Sequence, residues 1–164
     1  MKRTGILLAL ASIFLVADAA APQAQRRREP ARTPKPEAVA ETRLLMEGLN
    51  LANYRGLEKL LKDKPADADA WTFARGQALL IAETGNLLML RPPRSRGQDA
   101  WMEHAAELRD AATALARAAG KRDFERSHNA FRDLAQTCNR CHQTFRTPVR
   151  LTPFAEAAAD DLRP

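Results

Sequence analysis

Four segments of the sequence repeat apolar residues at helical spacing, and prolines or short polar stretches separate them. The predicted helices extend from about Glu37 to Lys62, from Asp67 or Asp69 to just before Pro92, from Gln98 to Ala119, and from Asp123 to Arg146. Glycine (7 residues) and aromatic residues (5%) are scarce, which favours helices over sheets. Because the connections are mostly short, we expect an all-α fold: an antiparallel four-helix bundle with up-down-up-down topology.

Each predicted helix has an apolar face that we expect to line the core. On the first helix, the residues within about 60° of one line are Val39, Met46, Leu49, Leu57, Leu60 and Leu61, with Met46 at the centre. The faces of the other helices contain Trp71, Ala74, Ala78, Ala82 and Met89; Trp101, Ala105, Leu108, Ala112 and Leu115; and Phe124, His128, Phe131, Ala135, Cys138, His142 and Phe145. Gly120 is the predicted C-cap signal of the third helix.

The N-terminus has the pattern of a secretory signal peptide over residues 1–21. Lys2 and Arg3 precede an uncharged run from Gly5 to Ala17, and small residues follow. The run is shorter than the roughly 20 apolar residues of a membrane span. We therefore expect a periplasmic protein, with an uncleaved membrane anchor as the alternative.

Residues 22–36 are rich in proline and basic residues, which predicts a disordered linker. Its arginines are Arg26, Arg27, Arg28 and Arg32. Membrane association is expected only through this linker or an uncleaved signal, and an exported chain is not expected to bind nucleic acid. The bundle then occupies residues 37–147. Residues 148–164 form a C-terminal tail whose last dozen residues we expect to be peripheral.

The chain has two cysteines, Cys138 and Cys141, and His142 follows directly. C-x-x-C-H is the attachment signature of c-type haem. On a helix, cysteines at i and i+3 reach one porphyrin edge, and the next residue offers a nitrogen to the iron. The alternatives are a local disulfide and half a zinc site, but no second cysteine pair completes a zinc site, and a thioredoxin-like motif needs a βαβ context. We therefore predict one covalently attached haem c.

Residues 120–146 resemble the last helix of the class II c-type cytochromes, the cytochrome c′ family. Members end in a phenylalanine-rich helix with a late C-x-x-C-H motif, then an aromatic and a basic residue, which match Phe145 and Arg146. The resemblance implies that a side chain of the first helix covers the iron face opposite the histidine. A methionine there gives low-spin iron suited to electron transfer, whereas an apolar residue leaves five-coordinate iron that binds nitric oxide or carbon monoxide.

Met46 is the predicted distal ligand. It lies roughly 13 Å into the first helix and His142 roughly 6 Å from the end of the last, so antiparallel packing brings both to one end of the bundle. Met89 and Met102 also fall at this end and remain alternatives. The alternative interpretation of Met46 is a gap-filling core residue.

Arg146 lies one turn beyond His142 and is expected either to contact a haem propionate or to complement the helix C-terminus. Arg43, near the iron face opposite His142, has the same two interpretations. We expect His104 and His128 to be structural, because His128 is roughly 21 Å from His142 along the same helix.

These residues predict a periplasmic monohaem electron carrier with iron held by His142 and Met46. The alternatives are a five-coordinate binder of nitric oxide or carbon monoxide and a c-type subunit of a larger redox complex. No Ser/His/Asp set, paired-carboxylate motif or phosphate-binding glycine loop stands out, so we expect no enzyme. Redox proteins are the expected partners, and the family that the chain resembles includes homodimers.

Overall fold

A computed structural model describes residues 33–155, so the predicted signal peptide, most of the predicted linker and residues 156–164 lie outside the described residues. Helix α1 covers residues 42–62 as an α-helical turn (Thr42–Leu45), a π-helical segment (Met46–Leu51) and a second α-helical part (Ala52–Lys62). Three more helices follow: α2 (Ala68–Met89), α3 (Gln98–Gly120) and α4 (Phe124–Thr144). Within residues 33–155, no helix is long and apolar enough to span a membrane.

Three side-chain hydrogen bonds define the direction of the helices. Arg91, just after α2, donates from Nε to the Ala40 carbonyl before α1, at 2.9 Å. Trp101 Nε1, at the start of α3, donates to the Leu88 carbonyl near the end of α2, at 2.7 Å. His104 Nε2 on α3 lies 3.0 Å from Thr144 Oγ1 at the end of α4. Neighbouring helices are therefore antiparallel, and the predicted all-α four-helix bundle is confirmed. We call the end where α1 and α3 begin the Trp101 end.

Local capping determines where two helices begin, as the sequence predicts. Asp67 Oδ1 accepts a hydrogen bond from the Ala70 backbone N–H at 2.8 Å, at the start of α2. Asp123 Oδ1 accepts from the Arg126 N–H at 3.1 Å, at the start of α4. Each carboxylate satisfies a backbone N–H that has no partner inside its helix.

Helix α1 differs from its prediction at both its start and its face. It begins at Thr42 rather than Glu37, and Val39, assigned to the apolar face, is 91% exposed. Leu57 and Leu61 are fully buried, as predicted. The π-helical segment Met46–Leu51 has i→i+5 hydrogen bonds, so a constant 100° per residue does not hold across it. The buried residues that the predicted face omitted are Leu45, Asn50 and Tyr54.

The prediction that Gly120 caps α3 was wrong. Gly120 is the last helical residue, and the left-handed residue that ends the helix is Arg122, with φ of 55°. The Arg122 N–H donates to the Ala119 carbonyl at 2.9 Å, and the Asp123 N–H donates to the Ala118 carbonyl at 3.2 Å. These two bonds form a Schellman motif with arginine where glycine is usual.

The expectation that the last residues are peripheral fails at Phe154. Its ring stacks on His128 with 4.1 Å between centroids, and its N–H donates to Glu58 Oε1 at 2.8 Å. The ring also contacts the buried Phe131. Residues 147–155 therefore pack back onto α1 and α4, and His128 has the structural role expected for it.

Gly85 permits the close approach of α2 and α3. A Cβ at this position would lie 2.7 Å from the Ala105 carbonyl oxygen and 2.9 Å from the Arg109 backbone nitrogen. We expect Gly85→Ala to destabilise the protein by about 1–3 kcal/mol, because backbone must move to relieve the clash. Gly76→Ala on the same helix is the control. Nothing lies within 4 Å of its Cβ position, so it should stabilise by about 0.5–1 kcal/mol.

The measurement for both variants is urea unfolding of the haem-loaded protein. Equal stabilisation by Gly85→Ala and Gly76→Ala would contradict the close approach of the two helices.

Candidate haem site

A cavity of about 430 Å³ lies at the Trp101 end, within the size range of ligand and cofactor pockets. All four helices and the segment after α4 contribute to its walls. The lining residues are Thr42, Arg43, Met46, Glu47, Asn50, Leu51, Tyr54, Leu88, Trp101, Cys141, His142, Phe145, Thr147, Val149 and Leu151. Trp101 and Phe145 pack edge to face, with 5.2 Å between ring centroids, and form one corner of the wall.

His142 lines this cavity, and one of its ring nitrogens already forms a hydrogen bond within the protein. Nδ1 lies 2.9 Å from the Val149 carbonyl oxygen. A carbonyl only accepts, so Nδ1 donates this hydrogen bond, and in the neutral ring Nε2 then keeps its lone pair. This is the arrangement that metal-binding histidines generally have, with a hydrogen bond that orients the ring. His142 is therefore suited to hold iron through Nε2.

The end of α4 returns the chain toward His142. The Thr147 N–H donates to the His142 carbonyl at 2.8 Å, and the Arg146 N–H donates to the Gln143 carbonyl at 3.2 Å. Arg146 has φ of 55°, the left-handed position of a Schellman motif. The reversal allows Val149 to reach the His142 ring.

The two arginines considered for a propionate are placed differently. The Arg146 side chain is exposed and is not among the cavity-lining residues, so its contact with a propionate stays a prediction. Arg43 lines the cavity on α1, where its Nε lies 2.9 Å from Glu47 Oε1. This exposed ion pair raises the pKa of Arg43 through the hydrogen bond to Glu47 and its charge.

Both cysteines lie on α4, and no disulfide joins them. Cys138 is 5% exposed, and burial together with the nearby Cys141 raises its pKa to about 12. Cys141 lines the cavity, and burial followed by the Glu107 charge raises its pKa. Among residues 33–155, no group of three or more His, Cys, Asp or Glu side chains could hold a metal ion, which gives the zinc alternative no support there.

Met46 is the methionine that the structure brings to the same cavity as His142. It is the first residue of the π-helical segment of α1. Single π-helical turns inside α-helices are frequent at functional sites. Met89 and Met102 do not line this cavity, and Met102 is 41% exposed.

Asn50 and Tyr54 line the cavity and were not among the predicted site residues. Asn50 Oδ1 and the Tyr54 hydroxyl are buried without a hydrogen-bond partner among residues 33–155. Burial also raises the pKa of Tyr54 well above its usual value. Buried polar atoms of this kind usually meet a ligand or water, so the pair fits a cavity that holds a cofactor with polar groups. In the sequence, the signal for this site is an asparagine one helical turn after Met46.

The bundle and its C-x-x-C-H motif, placed at the end of the last helix beside an apolar cavity, agree with the predicted resemblance to the class II c-type cytochromes. The sequence model of the family described as Cytochrome C' matches residues 96–146, which span α3 and α4 through the whole motif. This match bears out the predicted resemblance over α3 and α4, and it supports a monohaem c-type cytochrome. Its cofactor, as in this family, is covalently attached haem c with iron. Neither the curated proteins nor the solved structures gave a match.

Proposed function

We propose that this protein is a periplasmic carrier of single electrons whose haem iron is held by His142 and Met46. The observation that carries the proposal is that both side chains line one cavity, whereas Met89 and Met102 do not. When bound, haem c supplies a one-electron couple between ferrous and ferric iron. Methionine and histidine are the ligand pair of the cytochromes c, in which methionine raises the reduction potential.

The remaining wall residues support this role through burial and orientation. The Val149 carbonyl orients the His142 ring, and the Trp101 and Phe145 rings exclude water from the adjoining wall. Exclusion of water from the site is one of the means by which a protein sets the potential. Redox proteins would then exchange electrons with this protein at the Trp101 end, where the cavity lies.

The periplasmic part of the proposal rests on two observations. Residues 1–21 have the composition of a secretory signal peptide. Proteins of the Cytochrome C' family are typically secreted or periplasmic. Export also agrees with covalent haem attachment at C-x-x-C-H.

The absorption spectrum of the purified ferric protein tests the proposed ligation. We expect low-spin iron with a sulfur-to-iron charge-transfer band, together with slow carbon monoxide binding by the ferrous form. Slow binding is expected because the Met46 sulfur must dissociate first. A high-spin ferric spectrum without that band, with rapid carbon monoxide binding, would reject the electron carrier and favour the gas-binding alternative.

A further inference from the structure

The segment that follows α4 is held against the face of the helix that bears the haem motif. It passes beside His142 at Val149 and beside Asn139 at Leu151, in the direction opposite to α4. Asn139 and His142 are three residues apart and therefore lie on one face of the helix. The hydrogen bonds of residues 149–151 with α4 thus fall on the C-x-x-C-H motif.

Asn139 holds the segment through two reciprocal hydrogen bonds. Its Nδ2 donates to the Leu151 carbonyl at 2.8 Å, and the Leu151 N–H donates to its Oδ1 at 2.8 Å. One side-chain amide therefore satisfies both backbone groups of Leu151. Alanine at this position would leave both groups without these partners.

The Val149 carbonyl lies between two anchored points. Before it, the Thr147 N–H is bonded to the His142 carbonyl; after it, Leu151 is bonded to Asn139. A short connection with both ends anchored keeps little conformational freedom. Its carbonyl is therefore kept within reach of His142 Nδ1, instead of exchanging that bond for water.

We propose that Asn139 is a positioning residue for the haem ligand, acting through Leu151 and the Val149 carbonyl on the His142 ring. The inference rests on the proposed function only in taking His142 as an iron ligand. A hydrogen bond from Nδ1–H to a carbonyl raises the basicity of the ligating nitrogen. A more basic imidazole stabilises ferric iron relative to ferrous iron. We call the two hydrogen bonds between Asn139 and Leu151 the Asn139 clasp, and by this argument the clasp lowers the reduction potential.

The anchor at Phe154 keeps the segment on the bundle by contacts that do not involve Asn139. Phe154 has φ of 58° and packs on His128 and Phe131, and its N–H donates to Glu58. Loss of the Asn139 clasp should therefore loosen the part near His142 without releasing the whole segment. We therefore expect an Asn139 variant to weaken the hydrogen bond of the His142 ring and to keep the fold.

The test compares the haem-loaded wild type with the Asn139→Ala variant. We expect the variant to shift the one-electron equilibrium about tenfold toward the ferrous form, a rise of about 59 mV in reduction potential. The His142 ring N–H, followed by NMR in the ferrous protein, should exchange with solvent faster than in the wild type. Gln143→Ala is the matched control, because Gln143 is an exposed amide next to His142 on the same helix; it should keep the wild-type potential.

A truncation after Pro148 completes the test as a double-mutant cycle. If Asn139 acts through the segment, Asn139→Ala should add little to the potential shift of the truncated chain. An Asn139→Ala protein with the potential of the Gln143→Ala control, or a shift that adds fully to that of the truncation, would overturn the inference. A wild-type high-spin spectrum would reject Met46 ligation and leave this comparison intact, because both ligation states share His142.

Discussion

Replacing Met46 by leucine is expected to convert the protein from a low-spin to a high-spin form with an open iron position. Leucine has no sulfur to bind iron, but it has nearly the volume of methionine. Exchanges of this kind usually cost less than about 1.5 kcal/mol, so the bundle should remain folded. The ferric variant should lose its sulfur-to-iron charge-transfer band, and the reduction potential should fall because methionine ligation raises it.

Met102→Leu and Met89→Leu are the controls for this change. Neither residue lines the cavity, and Met102 is 41% exposed, so both variants should keep the low-spin spectrum and the wild-type potential. An unchanged spectrum in Met46→Leu would contradict the ligand assignment. Conversion by Met89→Leu or Met102→Leu in its place would identify the actual ligand.

Replacing both Cys138 and Cys141 by alanine is expected to abolish covalent haem. The two thiols are the chain's only cysteines, and they are the residues that C-x-x-C-H uses for attachment. Haem staining after a denaturing gel measures this directly, because only covalent haem remains with the chain. We expect complete loss of the stain. The variant should also unfold more easily, because without haem the folded state loses the burial of the cofactor in the apolar cavity.

Arg140→Ala is the matched control for attachment. Arg140 lies between the two cysteines with an exposed side chain, so this variant changes the motif region without removing a sulfur. It should stain as strongly as the wild type. A double cysteine variant that stained equally would contradict covalent attachment at this motif.

Much of the fold could be predicted from the sequence because the interactions that define it are local. The start of α2 depends on Asp67 and that of α4 on Asp123, each through a bond to a backbone N–H three residues away. The end of α2 before Pro92 follows from the loss of a backbone donor and from the proline ring. These effects act within one helical turn, so they can be read from adjacent residues.

The errors arose where the local backbone departs from the usual helical pattern and where distant segments pack together. The π-helical segment of α1 changes the angle between residues, so the predicted face missed Tyr54. Val39 was included in that face but is exposed, because it precedes the start of the helix at Thr42. At the end of α3, arginine takes the left-handed position that glycine usually occupies, at Arg122. Phe154 packs on the bundle because its partners come from distant parts of the chain.

The sequence by itself determined the class of fold and the attachment motif, because helical periodicity and the spacing of Cys138, Cys141 and His142 are properties of neighbouring residues. The sequence left three methionines at one end of the bundle as candidates for the distal iron ligand. The tertiary structure selected Met46 as the one that shares a cavity with His142. The tertiary structure also placed the Val149 carbonyl on His142, through a chain reversal and the Asn139 clasp. Both outcomes depend on contacts between segments, whose geometry is decided only when the helices and the returning chain pack together.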